Sequence, residues 1–210
     1  LASAGITTST SFAVSLTGGA VSVADANAVD ADTSGIVTAE ISDNDMATFA
    51  GLTGTGNAYT IMVTDASVSA SALNTLDGKT TVAITATAVT TLTGAVADVK
   101  TAIASTGITT STTYNATLTD TSVSVADANI VDADTTGVVT ATITEGDMAT
   151  LGDLTGTGNA YTVTVTDASV DAAALNILDG KTTVTVDAKA VETLTGAAAD
   201  VATAISATSI

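Results

Sequence analysis

The chain has no cysteine, no histidine and no tryptophan. Without cysteine there are no disulfides, no thiolate nucleophile and no cysteine-type zinc site. Without histidine the commonest general base and metal ligand near neutral pH is missing. Without tryptophan, and with aromatics at only 2%, nothing large anchors an irregular core. Positive charge is also scarce. Lysine and arginine total 4 against 22 acidic residues, for a formal net charge of −18. The four cations are Lys79, Lys100, Lys181 and Lys189. Such a chain repels phosphate backbones and anionic lipid, which argues against nucleic acid and membrane partners. No run of 18 apolar residues occurs, so membrane insertion by a helix is not expected.

What is present is 46% hydrophobic residues, almost all alanine, valine, leucine and isoleucine. A core of small side chains needs close, regular backbone spacing, because voids lose contact energy. Repetition supplies that regularity, and the sequence repeats. GAVSVADANAVDADTSG (19–35) returns as TSVSVADANIVDADTTG (121–137). LTGTGNAYT begins at 52 and again at 154, and LDGKT at 76 and at 178, each 102 residues apart. LASAGI (1–6), IASTGI (103–108) and ISATSI (205–210) are in phase. This divides the chain into unit 1 (1–102), unit 2 (103–204) and the start of a third (205–210). It begins at Leu1 rather than Met and stops in mid-repeat, which reads as a slice of a longer array.

Each unit divides into about four pieces. In the second they begin at Tyr114, Val138, Tyr161 and Thr183, each a strand pattern followed by a small-residue helical stretch. In YTVTVTD, Tyr161, Val163 and Val165 alternate with Thr162, Thr164 and Thr166, the period of a half-buried strand. Met46, Phe49 and Leu52 recur at helical spacing. Val89, Leu92, Val96, Val99 and Ile103 suggest a longer helix in the fourth piece, with Gly94 a weak point within it. LTGTGNA, LDGKT and LTGA are expected to close helices with glycine. Pieces of some 22–24 residues are too short for the roughly 30-residue units of a closed (β/α)8 barrel. The expected fold is therefore α/β: an open right-handed solenoid of strand-plus-short-helix coils, with one parallel β-sheet face, leucine-rich-repeat-like in plan.

Three groups of residues invite a chemical reading. Outward threonines (Thr117, Thr119, Thr140, Thr142, Thr144, Thr162, Thr164, Thr166, Thr185) would form a flat hydroxyl array of the kind that binds ice. Their counterparts in the first unit include Ala13, Ser15, Glu40, Met62 and Ala83, which argues for an ordinary exposed strand face. Asp30, Asp32, Ser34 and Gly35 have the spacing of the first half of a calcium loop, as do Asp132, Asp134, Thr136 and Gly137. Asp25, Asn27, Asp127 and Asn129 lie just upstream. Ile41 and Ile143 stand where the bidentate glutamate should be, so an Asx turn at a helix end is the preferred reading and calcium the alternative. Asp43, Asp45, Asp65, Asp147 and Asp167 are expected to cap helix N-termini. Tyr59, Tyr114 and Tyr161 are expected in the core. LTGTGNA lacks the lysine of a phosphate-binding loop, and no nucleophile has a histidine or cysteine partner. An enzyme is not expected.

The alanine-, threonine-, valine- and aspartate-rich units, with LTGTGNAYT, LNTLDGKT and AVTTLTG, resemble tandem repeats of giant exported cell-surface proteins of cyanobacteria and other aquatic bacteria. Those proteins are of adhesin, surface-layer or motility type. The resemblance covers nearly all of the chain. It implies an extracellular, cell-surface setting and a structural role. Uncapped solenoid ends expose strand edges and apolar surface, so end-to-end self-association into a filament is also expected. A binding module for a glycan or ice surface, or a calcium-stiffened spacer, is the alternative. The calcium-binding nonapeptide GGxGxD is absent.

Overall fold

A computed structural model describes residues 9–210, and the opening LASAGI lies outside them. In chain order the elements are β1 (Val14–Ser15), α1 (Val23–Asp30), β2 (Val37–Glu40), α2 (Met46–Phe49), β3 (Ala58–Thr60), β4 (Ser67–Ser69), α3 (Ala70–Asp77), β5 (Ile84–Ala86), β6 (Thr91–Gly94) and α4 (Val96–Ala104). They continue with β7 (Ile108–Thr110), β8 (Asn115–Leu118), α5 (Val125–Asp134), β9 (Val139–Thr142), α6 (Met148–Leu151), β10 (Ala160–Thr162), β11 (Ser169–Asp171), α7 (Ala172–Asp179), β12 (Thr193–Thr195) and α8 (Ala198–Ser206). Helices α5 to α8 each start 102 residues after their counterparts α1 to α4.

The chain forms two compact units. The first runs to Thr90 and adds Thr101–Ser111; the second holds Thr91–Lys100 and Thr112–Ile210. In the first, β2 lies between β1 and β3, and β5 pairs with β7. In the second, β6, β8, β9 and β10 pair in that order, and β11 pairs with β12. All of these pairings are parallel. No sheet among the described residues closes into a barrel.

Alternation builds the core as expected. Val37 and Ala39 point inward while Thr38 and Glu40 are exposed, and Val139 and Ala141 repeat this against Thr140 and Thr142. Tyr161, Val163 and Val165 are buried, and Thr162, Thr164 and Thr166 are exposed. On α3, Ala70, Leu73 and Leu76 present one buried face, spaced by three residues. A leucine buried as fully as Leu73 contributes roughly 2 kcal/mol through the hydrophobic effect.

The single sheet face is not what forms: the strands divide among several small sheets. A side chain explains one of the breaks. The Thr80 hydroxyl accepts from the Tyr59 N–H at 3.0 Å and donates to the Tyr59 carbonyl at 2.7 Å. It occupies both main-chain groups that a continuous ladder would use, so only isolated bridges, Asn57–Thr80 and Met62–Thr85, flank it. Thr182 does the same to Tyr161. The fourth piece also differs from expectation. Thr91–Gly94 is a strand, and the helix starts only at Val96. Gly94 has φ +151°, a conformation that ends the strand and that a helix cannot contain. Hence LTGA opens a helix and does not close one.

Candidate functional site

The calcium candidates fall at the ends of matching helices. Asp30 is the last residue of α1 and Asp32 lies just beyond it, exposed; Asp132 and Asp134 both lie within α5. Asp30 Oδ1 accepts from Asn57 Nδ2 at 2.7 Å, and Asp132 Oδ1 from Asn159 Nδ2 at 2.6 Å. Asp134 accepts from the Tyr114 hydroxyl at 2.7 Å. In the upstream set, Asn27 accepts from Thr53 N–H and donates to the Gly51 carbonyl. Asn129 does likewise with Thr155 and Asp153. Asp25 accepts from its neighbour Ser22. Among the described residues no group of three or more acidic side chains converges as a metal site would require.

Around Asp30 there is an open, polar groove of about 350 Å³. Its floor is built by Asn57, which is 2% exposed. The Asn57 carbonyl accepts from the buried Val37 N–H at 2.8 Å while its amide holds Asp30. Asn159, 1% exposed, repeats this with Val139 and Asp132. An unpaired buried amide would cost about 1–3 kcal/mol, so the asparagine ties one module to the next at both ends. Gly54 makes room for it: a Cβ there would lie 2.4 Å from Asn57 Nδ2 and 2.6 Å from Asp30 Oδ2. Gly156 is placed the same way. The sequence carries the signal, an asparagine 27 residues after an aspartate in both copies, but periodicity alone gives it no meaning.

The three tyrosines are core residues, at most 1% exposed. The Tyr59 hydroxyl has no hydrogen-bond partner, and burial together with the nearby Asp30 charge pushes its pKa up to about 12. Burial and Asp132 raise Tyr161 similarly. Burial, then the bond to Asp134, raises Tyr114.

A second series of ties runs along the helix N-termini. Asp45 and Asp147 cap their own helices, accepting from Thr48 and Thr150 N–H at 2.9 Å. Those N–H groups hold both carboxyls below the usual range. Asp43, Asp65 and Asp167 do something different: each reaches back to the helix of the preceding module. Val23 N–H donates to Asp43 at 2.7 Å, Met46 to Asp65 at 2.8 Å, and Met148 to Asp167 at 2.6 Å. Val96 donates to Asp120 at 2.6 Å and Val125 to Glu145 at 3.0 Å. These three do satisfy helix N-termini as expected, but of helices that precede them by about 20 residues. The acceptor and its N–H are 19 to 24 residues apart, and no local pattern reveals that. These first-turn donors are already engaged, so they offer no anion site.

The lysines also serve packing. Lys79 and Lys181 each donate to a turn carbonyl, of Thr53 and Thr155, at 3.3 Å. Lys100 pairs with Asp127 at 2.6 Å and lowers its pKa, and Lys189 pairs with Asp187 at 3.2 Å. The threonine face is uneven. Thr117 neighbours Thr140, but Thr140 next meets Ala160, and Thr164 meets Asp187. In the first unit Glu40 neighbours Thr60, and Met62 is 57% exposed. No protein-family model, no curated protein and no solved structure matches the chain.

Proposed function

We propose that this chain is a structural segment of an extracellular surface protein, an open right-handed solenoid extended by stacking one strand–helix module on the next. The observation that carries this reading is the recurrence of the inter-module ties. Asn57–Asp30 and Asn159–Asp132, Met46–Asp65 and Met148–Asp167, and Lys79–Thr53 and Lys181–Thr155 recur 102 residues apart, with lengths agreeing to 0.2 Å. Selection that repeats the joints between modules, while letting the exposed strand face vary from threonine to glutamate and methionine, favours a scaffold over a recognition surface. The resemblance to giant surface proteins and the lack of cysteine support the cell-surface assignment.

Electron microscopy of the chain and of a tandem fusion of two copies tests this. The expected result is rods, those of the fusion twice as long. Compact particles, or two beads joined by a bend, would refute it.

A further inference from the structure

The polar groove beside Asp30 has fixed walls. From its floor the Asn57 amide holds Asp30 Oδ1 at 2.7 Å. On another wall the Thr33 hydroxyl donates to the Phe12 carbonyl, and the Ser34 hydroxyl to the Thr10 carbonyl at 3.0 Å. A ligand therefore meets a preformed site and does not have to order it.

Two kinds of polar group are left over between these walls. Asp30 Oδ2 receives no hydrogen bond from any described residue. It lies against the turn because Gly54 lacks a Cβ, which would come within 2.6 Å of it. Facing water on that turn, Thr55 and Gly56 have main-chain N–H groups with no acceptor among the described residues, and the Thr55 hydroxyl has no partner there either. Ile36, 56% exposed, stands at the rim. The second unit repeats the frame. Asn159 holds Asp132 Oδ1 at 2.6 Å, Gly158 has φ +78° against +74° at Gly56, and Val138 is 41% exposed.

A ligand of this groove has to donate to a carboxylate and accept from N–H and hydroxyl groups. A cation cannot accept. An anion is repelled by Asp30 and by the net charge of −18. A neutral vicinal diol does both: one hydroxyl donates to Oδ2 while its neighbour accepts from the turn. The C–H face of a sugar ring can rest on the exposed Ile36. No aromatic residue lines the groove, so each site is weak, with a Kd of about 1 mM or above.

We propose that this groove, and its counterpart at Asp132, bind a neutral saccharide residue through a pair of adjacent hydroxyls. This goes beyond the structural role and does not depend on it. The scaffold presents one weak sugar site per repeat, and sites tethered in one chain hold a polysaccharide more tightly than either does alone.

Amide chemical shifts of the 210-residue chain, titrated with methyl α-mannoside, methyl β-galactoside and methyl β-glucoside, test this. These glycosides differ in the geometry of their vicinal diols. At least one should give saturable shifts at Thr55 and Gly56, and at Thr157 and Gly158, with half-saturation at about 1–10 mM. Asp30→Asn keeps a carbonyl for the Asn57 amide but removes the charge and the second acceptor. It should abolish the shifts at Thr55 and Gly56 and leave those at Thr157 and Gly158, which report that the fold is intact. Thr55→Val, at an exposed hydroxyl without a protein partner, should weaken the first site about threefold. No saturable shift with any of the glycosides overturns the proposal. So does binding that Asp30→Asn and Thr55→Val both leave unchanged, and so do shifts at these amides with calcium chloride but none with the glycosides.

Discussion

Leu92 and Leu194 are the same residue of the repeat in two environments, and replacing each with alanine measures what one covering module is worth. Leu92 is 0% exposed, closed on one side by Ala116 of β8. Deleting a side chain so buried removes its transfer energy and leaves a cavity, a loss of about 3 kcal/mol within a usual range of 2–5. Leu194 is only partly buried, so its truncation leaves no closed cavity and removes only part of the transfer term, about 1 kcal/mol. The expected gap is about 2 kcal/mol. With a urea m value of about 2 kcal/mol/M, that separates the two midpoints by about 1 M in equilibrium unfolding followed by circular dichroism, read at low protein concentration. Equal losses at the two positions would refute the claim that the covering module supplies the stability.

Asn57→Ala should cost about 2–3 kcal/mol by urea unfolding, since it orphans the buried Val37 N–H and frees Asp30; Gly54→Ala should do comparable harm through its contact with the same amide. Asp65→Ala should cost roughly 1 kcal/mol and increase amide exchange at Met46, in the helix before it in sequence. Tyr59→Phe should be neutral or stabilising at pH 7, because the hydroxyl has no partner. Its folded pKa is raised, so wild type keeps this contribution below the unfolded value near ~10 and loses it as pH rises toward about 12; the variant should unfold less steeply over that window. Asp127 has a lowered folded pKa, so its contribution is present above the unfolded value near ~4 and lost as pH falls through the folded one. Asp127→Asn should flatten the acid limb of a stability–pH curve.

Period-2 alternation made the strands legible. Residues such as Tyr161, Val163 and Val165 bury one side wherever a parallel strand has a core beneath it. The N-caps Asp45 and Asp147 were legible because a cap acts within three residues. The division of the sheets was not, because it depends on Thr80 and Thr182 meeting backbone 21 residues away. The helix expected through Val89–Ile103 failed because Thr91–Gly94 reads equally as a strand or a helix by spacing. Only the backbone conformation at Gly94 decides it. The ties of Asn57, Asp65 and Asp120 were invisible for a related reason: the spacing between partners varies between 19 and 27 residues, so no fixed offset exposes them.

Part of the charge imbalance follows from those ties. Each helix start presents unpaired N–H groups and the positive end of its dipole. Five helices satisfy their first N–H with a carboxylate from the next module, and three of the same five also carry an aspartate in their first turn. Helix C-termini make no matching demand for lysine: none of the helices whose last turn is described has a basic residue there. The carbonyls that follow α2 and α6 are met from other modules: Gly51 and Asp153 accept from the Asn27 and Asn129 amides, and Thr53 and Thr155 from Lys79 and Lys181. A surplus of acid over base accumulates with every module added. These eight carboxylates, of the 22 acidic residues, supply part of the surplus behind the net charge of −18.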